Sequence, residues 1–459
     1  MAVILSSQVT SVDNGSLVIN AKYLYPVSIV VALGGVLFGF DLVIISGTVP
    51  FFTKNFQLDV FDTGWAVGCI NIGAALGALI AGKISEAIGR KKLLLFCAFL
   101  FAVTGVATGW APSFTWFITA RLLSGVAVGV AALVCPMYIA EITPSSIRGR
   151  LVTFYQLAIV SGLLLAYLSN YLLLNSGINN WRWMFSSQTI PSLLFFGGLV
   201  FVPESPRWLI KKNRHAMAEG ILRKIRGKDF AKQEADNIEA SFNHEVKEKI
   251  SDLFSKKHWH IVFIGIAVAF FSQADGQNSL FSYAPEIFKQ AGMDENTAFL
   301  QSVIVGIVNF VFTFIAIAFI DKIGRRKLLL YGSFLLMLDA LALAYCFYVE
   351  ASGCLTLVFV LGFIAVYAAT LGPVTWVILS EIFPNRIRSS AMGLATLVLW
   401  IANFITTASF PILKESFGLH ITFAIHAGIC LIYFLFVKAK VPETKGKSLE
   451  EIEQMLTRK

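Results

Sequence analysis

The chain has 459 residues, of which 56% are hydrophobic and only 14% charged, with 40 Phe and a formal net charge of +9. Soluble proteins carry about 25% charged residues, so this chain has too little charge to cover a water-facing surface of its size, and its excess apolar residues face lipid. The positive balance does not indicate nucleic acid. Lys and Arg fall in short clusters between long apolar runs, as they do where membrane proteins mark their cytoplasmic side.

Residues 1–22 are polar and mixed, without the basic start, compact apolar core and small-residue cleavage site of a secretory signal. A bilayer core about 30 Å thick needs about 20 apolar residues per crossing helix. On that measure the sequence predicts spans over 24–47, 61–83, 92–110, 114–141, 151–174 and 183–203, then 259–288, 296–320, 327–349, 354–381, 389–413 and 418–439.

The basic loops set the orientation. Lys83, Arg90, Lys91 and Lys92 follow the second span, and Arg148 and Arg150 the fourth; Lys322, Arg325, Arg326 and Lys327 follow the eighth, and Arg386 and Arg388 the tenth. The interval 204–258 holds 13 Lys and Arg, while the alternate loops hold only the scattered Lys54, Arg182, Lys289 and Lys414. All the rich loops therefore share one side, which predicts an even number of spans and two cytoplasmic termini. The expected fold is an all-α integral membrane protein with twelve transmembrane helices in two six-helix halves, 1–203 and 259–441. Amphipathic stretches at 214–225 and 237–250 predict short cytoplasmic helices in the interval 204–258, and 442–459 reads as a tail.

The six Cys show no metal-binding spacing, and most lie in apolar runs, where a thiol acts as a small hydrophobe. Cys346 and Cys354 flank a loop, but free thiols are expected. Neither a metal nor a cofactor is called for. There is no P-loop, no Gly-x-Ser-x-Gly elbow and no His-Glu-x-x-His pair, so an enzyme is not expected.

The halves repeat each other. Gly-Arg-Lys-Lys-Leu-Leu-Leu at 89–95 returns as Gly-Arg-Arg-Lys-Leu-Leu-Leu at 324–330, and Glu141-Ile142-Thr143-Pro144 returns as Glu381-Ile382-Phe383-Pro384, at offsets of 235 and 240 residues. Two units in one orientation imply an axis along the membrane normal with a binding site between them near the midplane. That arrangement suits rocking around a site and disfavours a channel. The repeated charges suggest a cytoplasmic latch: Glu86, Arg90 and Lys91 against Glu141, Arg148 and Arg150 in the first half, and Asp321, Arg325 and Arg326 against Glu381 and Arg388 in the second. Topology alone would require the Lys and Arg but not the interleaved Glu and Asp.

Polar side chains inside spans are costly unless they face a cavity or a partner. Gln156, Gln273, Gln277, Asn278, Asn309 and Asn403 are such residues, and Trp376 and Trp400 supply aromatic surface. Amides both donate and accept, as sugar hydroxyls require, and an aromatic wall suits the C–H face of a sugar ring. The alternative for any one amide is a helix–helix hydrogen bond. Asp41 lies in the apolar segment 37–45, where an ionised carboxylate costs about 2.5–3.5 kcal/mol; it must be protonated, paired or wet, and Arg121 in the fourth span is the expected partner. Asp275 is expected either to face the cavity as a hydroxyl acceptor or to bind a second cation. Asp339 and His426 are assigned no role. Tyr283 followed by Pro285 predicts a bend and an outer gate. Gly73-x-x-x-Gly77 and Gly125-x-x-x-Gly129 permit close helix packing, expected to be internal.

Over essentially its full length the chain resembles the sugar porter family of the major facilitator superfamily, and within it the bacterial proton-coupled sugar symporters. The resemblance rests on Gly89 to Lys92, Asp321 to Arg326, Pro203-Glu204-Ser205-Pro206-Arg207-Trp208-Leu209, Gly372-Pro373-Val374-Thr375-Trp376 and Pro442-Glu443-Thr444-Lys445-Gly446. It implies the major facilitator fold and a sugar site at Gln156, Gln273, Asn278, Tyr283, Asn309, Trp376 and Trp400, to which the span-seven amide Gln277 and Gly372 of the span-ten motif are added as candidates. It also implies proton coupling through Asp41. Departures are Glu86-Ala87 in place of Asp-Arg, Ser272 and Ser282 in place of a Gln and a Tyr, and Leu163 and Leu399 where related symporters carry Gln. The solute class expected is a monosaccharide or polyol. The rival readings are a uniporter with a static Asp41–Arg121 salt bridge, and a non-transporting receptor, which would carry long cytoplasmic tails. A monomer in a bacterial inner membrane, with lipid and the proton as its further partners, completes the expectation.

Overall fold

The structure, a computed structural model, describes residues 19–144, 147–243, 253–255, 258–384, 387–446, 451–452 and 455, without the side chains of 229, 230, 241–243, 321 and 389. Arg386 and the side chain of Asp321 therefore lie outside the described residues. Among those described, eleven helical segments are long and apolar enough to cross a membrane. In chain order they are Ala21–Gly47, Val60–Ile88, Arg90–Gly109, Phe114–Ile142, Arg148–Leu173, Asn180–Phe201, Trp259–Gln290, Glu295–Ile320, Arg325–Tyr348, Gly353–Ile382 and Ser390–Lys440. The last, at 51 residues, is twice as long as one crossing needs. It is interrupted at Gly418, whose φ of 78° and ψ of 165° suit only a residue without Cβ. That break makes two helices of it, spans eleven and twelve, with the polar residues at the turn marking the membrane surface.

Three of the loops opposite the basic ones start their helices with side-chain caps. Asp59, Ser113 and Asp294 accept the N–H of Asp62, Trp116 and Thr297, so spans two, four and eight begin where the capping signal stands in the sequence. Between spans six and seven the chain forms the short helices Pro206–Lys211, His215–Arg226 and Lys228–Asn243, in the interval read as amphipathic. All six cysteines are free, including Cys346 and Cys354.

Close backbone contact organises the first half. Gly73 and Gly77 meet the backbone of Leu122, Gly125 and Val126, while Gly125 and Gly129 meet Ile70 and Ala74, so the two small-residue spacings pack spans two and four on each other. Gly39 in span one meets Ile159, and Gly162 in span five meets Val36. This second contact clamps the helix carrying Asp41 to the helix carrying Gln156.

The halves touch mainly on the face opposite the basic loops. Gly64 of span two lies against the backbone of Ala408 in span eleven, and Trp65 packs edge-on to Phe404 at 5.6 Å. The Tyr167 hydroxyl of span five donates to the Phe281 carbonyl of span seven at 2.8 Å, and Asn175 meets Asn296 at 3.3 Å. On the basic-loop face the halves part around a vestibule of about 630 Å³ lined by Tyr155, Arg150, Ile317, Ile320, Pro373 and Trp376 among others.

Replacing Gly125 by Val drives a branched side chain into the Ile70 backbone. The expected loss is about 1–3 kcal/mol, measured as thermal unfolding in detergent. Gly82→Ala, where nothing stands within 4 Å of the new carbon, leaves the transition unchanged.

Candidate functional site

Two spans that reach the middle of the molecule are not continuous helices. Span seven stops at Ala274 and restarts at Gln277, with Gly276 at φ 100° between. Span ten stops at Ala369 and restarts at Leu371, with Thr370 at φ −129°, ψ −84°. Non-helical backbone at membrane depth is tolerated only inside protein or against a water-filled cavity. Here both breaks flank a central cavity of about 120 Å³, well above the roughly 10–15 Å³ that one water needs.

Eight of the nine sugar-site residues expected from sequence line this cavity: Gln156, Gln273, Gln277, Asn278, Asn309, Gly372, Trp376 and Trp400. Asn403 lines it too, and so do Leu163 and Leu399, which add apolar wall. Asn278 donates to Gln273 Oε1 at 2.7 Å, and Gln277 Nε2 donates to Asn278 Oδ1 at 2.6 Å. The two sides of the break in span seven thus form one connected amide chain. Gln277 Oε1, Asn403 Oδ1 and Trp400 Nε1 are buried without a protein partner. These two acceptors and one donor, in a space larger than a water, fit a solute that both donates and accepts.

Tyr283 is the exception. It does not line the cavity; its hydroxyl donates to the Thr407 carbonyl at 3.0 Å and its ring stacks on Phe410 at 4.9 Å. Its φ of −126° and ψ of 17° are non-helical, placing the bend expected before Pro285, and nearby Lys414 is ion-paired with Glu286. Tyr283 therefore sits at the bend of span seven, packed on span eleven, and not in the cavity wall. Sequence reasoning missed Asn71, Phe38, Thr313 and Tyr367 in the cavity wall. Asn71 was detectable by the rule that found the other amides. It donates to Thr407 Oγ1 at 3.3 Å, and Phe38 packs on Trp400 at 5.7 Å, so each ties span one or two to span eleven.

Asp41 and Arg121 form a fully buried ion pair, Nη1 to Oδ1 at 2.6 Å. Ser124, one turn beyond Arg121, donates to Asp41 Oδ2 and itself accepts from Thr104 at 3.2 Å. Arg121 also lies over the Phe185 ring, but its Nε and Nη2 have no partner. The pair is thus incompletely satisfied on the cationic side. Ser124 could have been found as the hydroxyl facing the same way as Arg121 at i+3.

The repeated loops form the same knot twice. In the first half Arg90 pairs with Glu141 at 2.8 Å, Ser205 donates to Glu141, and Glu204 accepts the N–H groups of Arg90 and Lys91. In the second, Arg325 pairs with Glu381 at 3.0 Å, Thr444 donates to Glu381, and Glu443 accepts the Arg325 N–H. Glu204 and Glu443 thus sit as anions at the N-termini of spans three and nine, where orphan N–H groups favour negative charge. From the sequence alone both residues are family markers and nothing more. Three details differ from the expected latch. Lys91 donates to the Val200 carbonyl, Arg326 donates to the Lys438 carbonyl, and Glu86 pairs with Lys211 at 3.3 Å. Arg148 borders a hollow with Glu86, Arg90 and Glu141, and Arg388 donates to the Phe383 carbonyl. Each knot lies within one half.

Two six-helix units around a closed-ended polar cavity define a membrane transporter for small solutes, not an enzyme. The Sugar (and other) transporter family matches residues 27–456, and the chain belongs to that family. It is 39% identical over 436 residues to the arabinose-proton symporter of Bacillus subtilis (strain 168), covering 94% of each chain. Its fold is similar to the inward open conformation of the xylose transporter XylE from E. coli, with a TM-score of 0.85, 36% identity, and 94% of this chain and 100% of that one covered. Against the same proton:xylose symporter bound to 6-bromo-6-deoxy-D-glucose the TM-score is 0.78, with 36% identity over 95% of this chain and 100% of that one.

Arg121→Leu strands the Asp41 carboxylate in a dry interior and is expected to cost about 3–5 kcal/mol of stability. Combining it with Asp41→Asn should recover most of the loss, read by thermal unfolding of both variants in detergent.

Proposed function

We propose that this protein is a proton-coupled symporter of a monosaccharide or polyol, working by alternating access. The observation that carries the reading is the buried Asp41–Arg121 pair, on helices packed directly against the wall of an amide-lined cavity between two halves. A carrier that only lowers a solute gradient needs no such charge, whereas a coupled one needs a group that titrates inside the membrane. The relatives named as arabinose and xylose symporters support the same assignment.

The basic-loop face is cytoplasmic by the positive-inside rule, which puts both termini inside a bacterial inner membrane. Residues 1–203 and 259–441 are the moving halves, 204–258 the connector and 442–459 the tail; the unit is a monomer in lipid. On this assignment the arrangement is closed outside by Tyr283, Phe410, Trp65 and Phe404 and open inside through the Trp376 vestibule, in keeping with the higher TM-score against the inward open relative.

A sugar entering from outside exchanges hydroxyls for the amide contacts of Gln273, Gln277 and Asn278, laying its ring between Trp376 and Trp400. A proton on Asp41 neutralises the carboxylate and releases Arg121. Span one, locked to span five through Gly39 and Gly162, can then turn with the loaded first half. Proton loss to the cytoplasm restores the pair. The two within-half knots keep each half rigid while Glu86, Arg148 and Arg388 line the seam at which the halves meet when the inside closes.

The test is uptake by the purified protein in liposomes, screening labelled pentoses, hexoses and inositols with and without an inward proton gradient. The wild type should accumulate a sugar above equilibrium. Gln273→Ala and Trp376→Ala should cut uptake at least tenfold, the equivalent of about 1.4 kcal/mol. Asp41→Asn should lose accumulation but keep equilibrative entry. Undiminished uptake by the first two variants would remove the site assignment, and accumulation by the third would make the protein's coupling independent of Asp41.

A further inference from the structure

The seam between spans two and eleven lies on the closed side of the cavity, and one of its contacts is polar. Gly64, Gly68 and Asn71 stand at i, i+4 and i+7 on span two and so share one helix face. That face meets Phe404, Thr407 and Ala408 of span eleven. Gly64 lies on the Ala408 backbone, Gly68 on the Phe404 ring and the Ala408 side chain, and Asn71 on the Thr407 hydroxyl. The two glycines close the seam by contact alone. Asn71 is its inner end, 2% exposed, and lines the cavity together with Thr407.

As a link between helices this amide is poorly used. Its Nδ2 donates to Thr407 Oγ1 at 3.3 Å, long for an N–H···O bond, and its Oδ1 is buried with no protein partner. Thr407 does not depend on it, because its own hydroxyl donates to the Asn403 carbonyl at 2.7 Å within span eleven. An amide offers two donors and two acceptor sites, and leaving an acceptor buried and idle costs more than an apolar side chain at the same place would. Asn403, one turn before Thr407, also leaves its Oδ1 unpartnered in the cavity wall. One amide oxygen from each half therefore lacks a hydrogen-bond donor beside the seam.

We propose that Asn71 is a specificity-determining residue of the solute site that holds two partners in turn. With the outside closed it holds Thr407. When span two parts from span eleven, the same amide accepts from and donates to one hydroxyl at the outward end of the solute, and Oδ1 gains the donor it lacks here. Closure of the seam exchanges that hydroxyl for Thr407 Oγ1, so the solute is held by one contact fewer on the side where it is released. The chemistry selected is a hydroxyl that both donates and accepts. A solute with a hydrogen, a methyl group or an ether at that position loses the contact.

This proposal rests on the cavity being the sugar site and not on proton coupling, so it is tested by equilibrium exchange in liposomes at equal pH on both sides. Labelled L-arabinose, D-xylose, D-glucose and myo-inositol are the probes, and the one that the wild type exchanges fastest is competed with its monodeoxy derivatives. One derivative should compete about tenfold more weakly than the parent through loss of the Asn71 contact. Asn71→Leu, or Asn71→Ala if Leu is not inserted, should abolish the penalty for that derivative and keep any penalty on the others. Thr407→Val breaks the same link but leaves the amide, and should keep every penalty. The proposal is overturned, with the sugar site left standing, if the wild type shows no penalty for any derivative. It is equally overturned if the penalties all survive or all vanish in the Asn71 variant, or change alike in the Asn71 and Thr407 variants. A wild type that exchanges none of these probes removes the sugar reading, and this inference with it.

Discussion

A polar group inside a bilayer has no water to fall back on. It must find a protein partner or face a cavity. Nearly every feature of this molecule follows from that constraint. The apolar lengths set the twelve crossings, and the few amides left inside them collect around one space. The two broken helices place their free backbone beside that space. The Asp41–Arg121 ion pair in the first half is fully out of water and carries a serine on its second oxygen. A charge that cannot be solvated can be neutralised by a proton, which makes the same constraint a means of coupling.

The duplicated architecture separates rigid from mobile parts. Within the first half, glycine contacts bring helix backbones together, and in each half an Arg–Glu pair, a hydroxyl and a carboxylate on helix N–H groups tie the basic loops. Between the halves the contacts are fewer and one-sided: Tyr167 on the Phe281 carbonyl, Trp65 against Phe404, Asn71 with Thr407. Interactions that hold a half together are repeated in sequence, whereas those that join the halves are not. Such a division is what two bodies rocking about a central site require.

The fold was legible from the sequence because its signals are long and redundant: apolar length, basic-loop alternation and the 89–95/324–330 repeat agree. The seam between spans eleven and twelve was legible from composition, although the helix runs on with only Gly418 to interrupt it. The amides were legible because they are expensive where they stand. Tyr283 was misplaced because a motif position fixes where a residue sits along a helix and not which face a kinked helix turns inward; its non-helical φ, ψ rotates the ring toward span eleven. Asn71 was missed although it obeyed the same rule as its partners. Glu204 and Glu443 gave no signal of their role, since an anion at a helix start is defined by the three-dimensional return of a distant loop. The burial of Asp275 away from the cavity wall was equally out of reach, because burial without a cavity is a property of packing.

The central claim is that solute and proton move together through Asp41. It is tested most directly by recording the internal pH of protein-containing liposomes with no imposed gradient while a transported sugar is added outside. The account predicts that the interior acidifies as sugar enters, and that Asp41→Asn abolishes the acidification while sugar still equilibrates. Sugar entry into wild-type liposomes with no change in internal pH would contradict it and leave the Asp41–Arg121 pair a structural one.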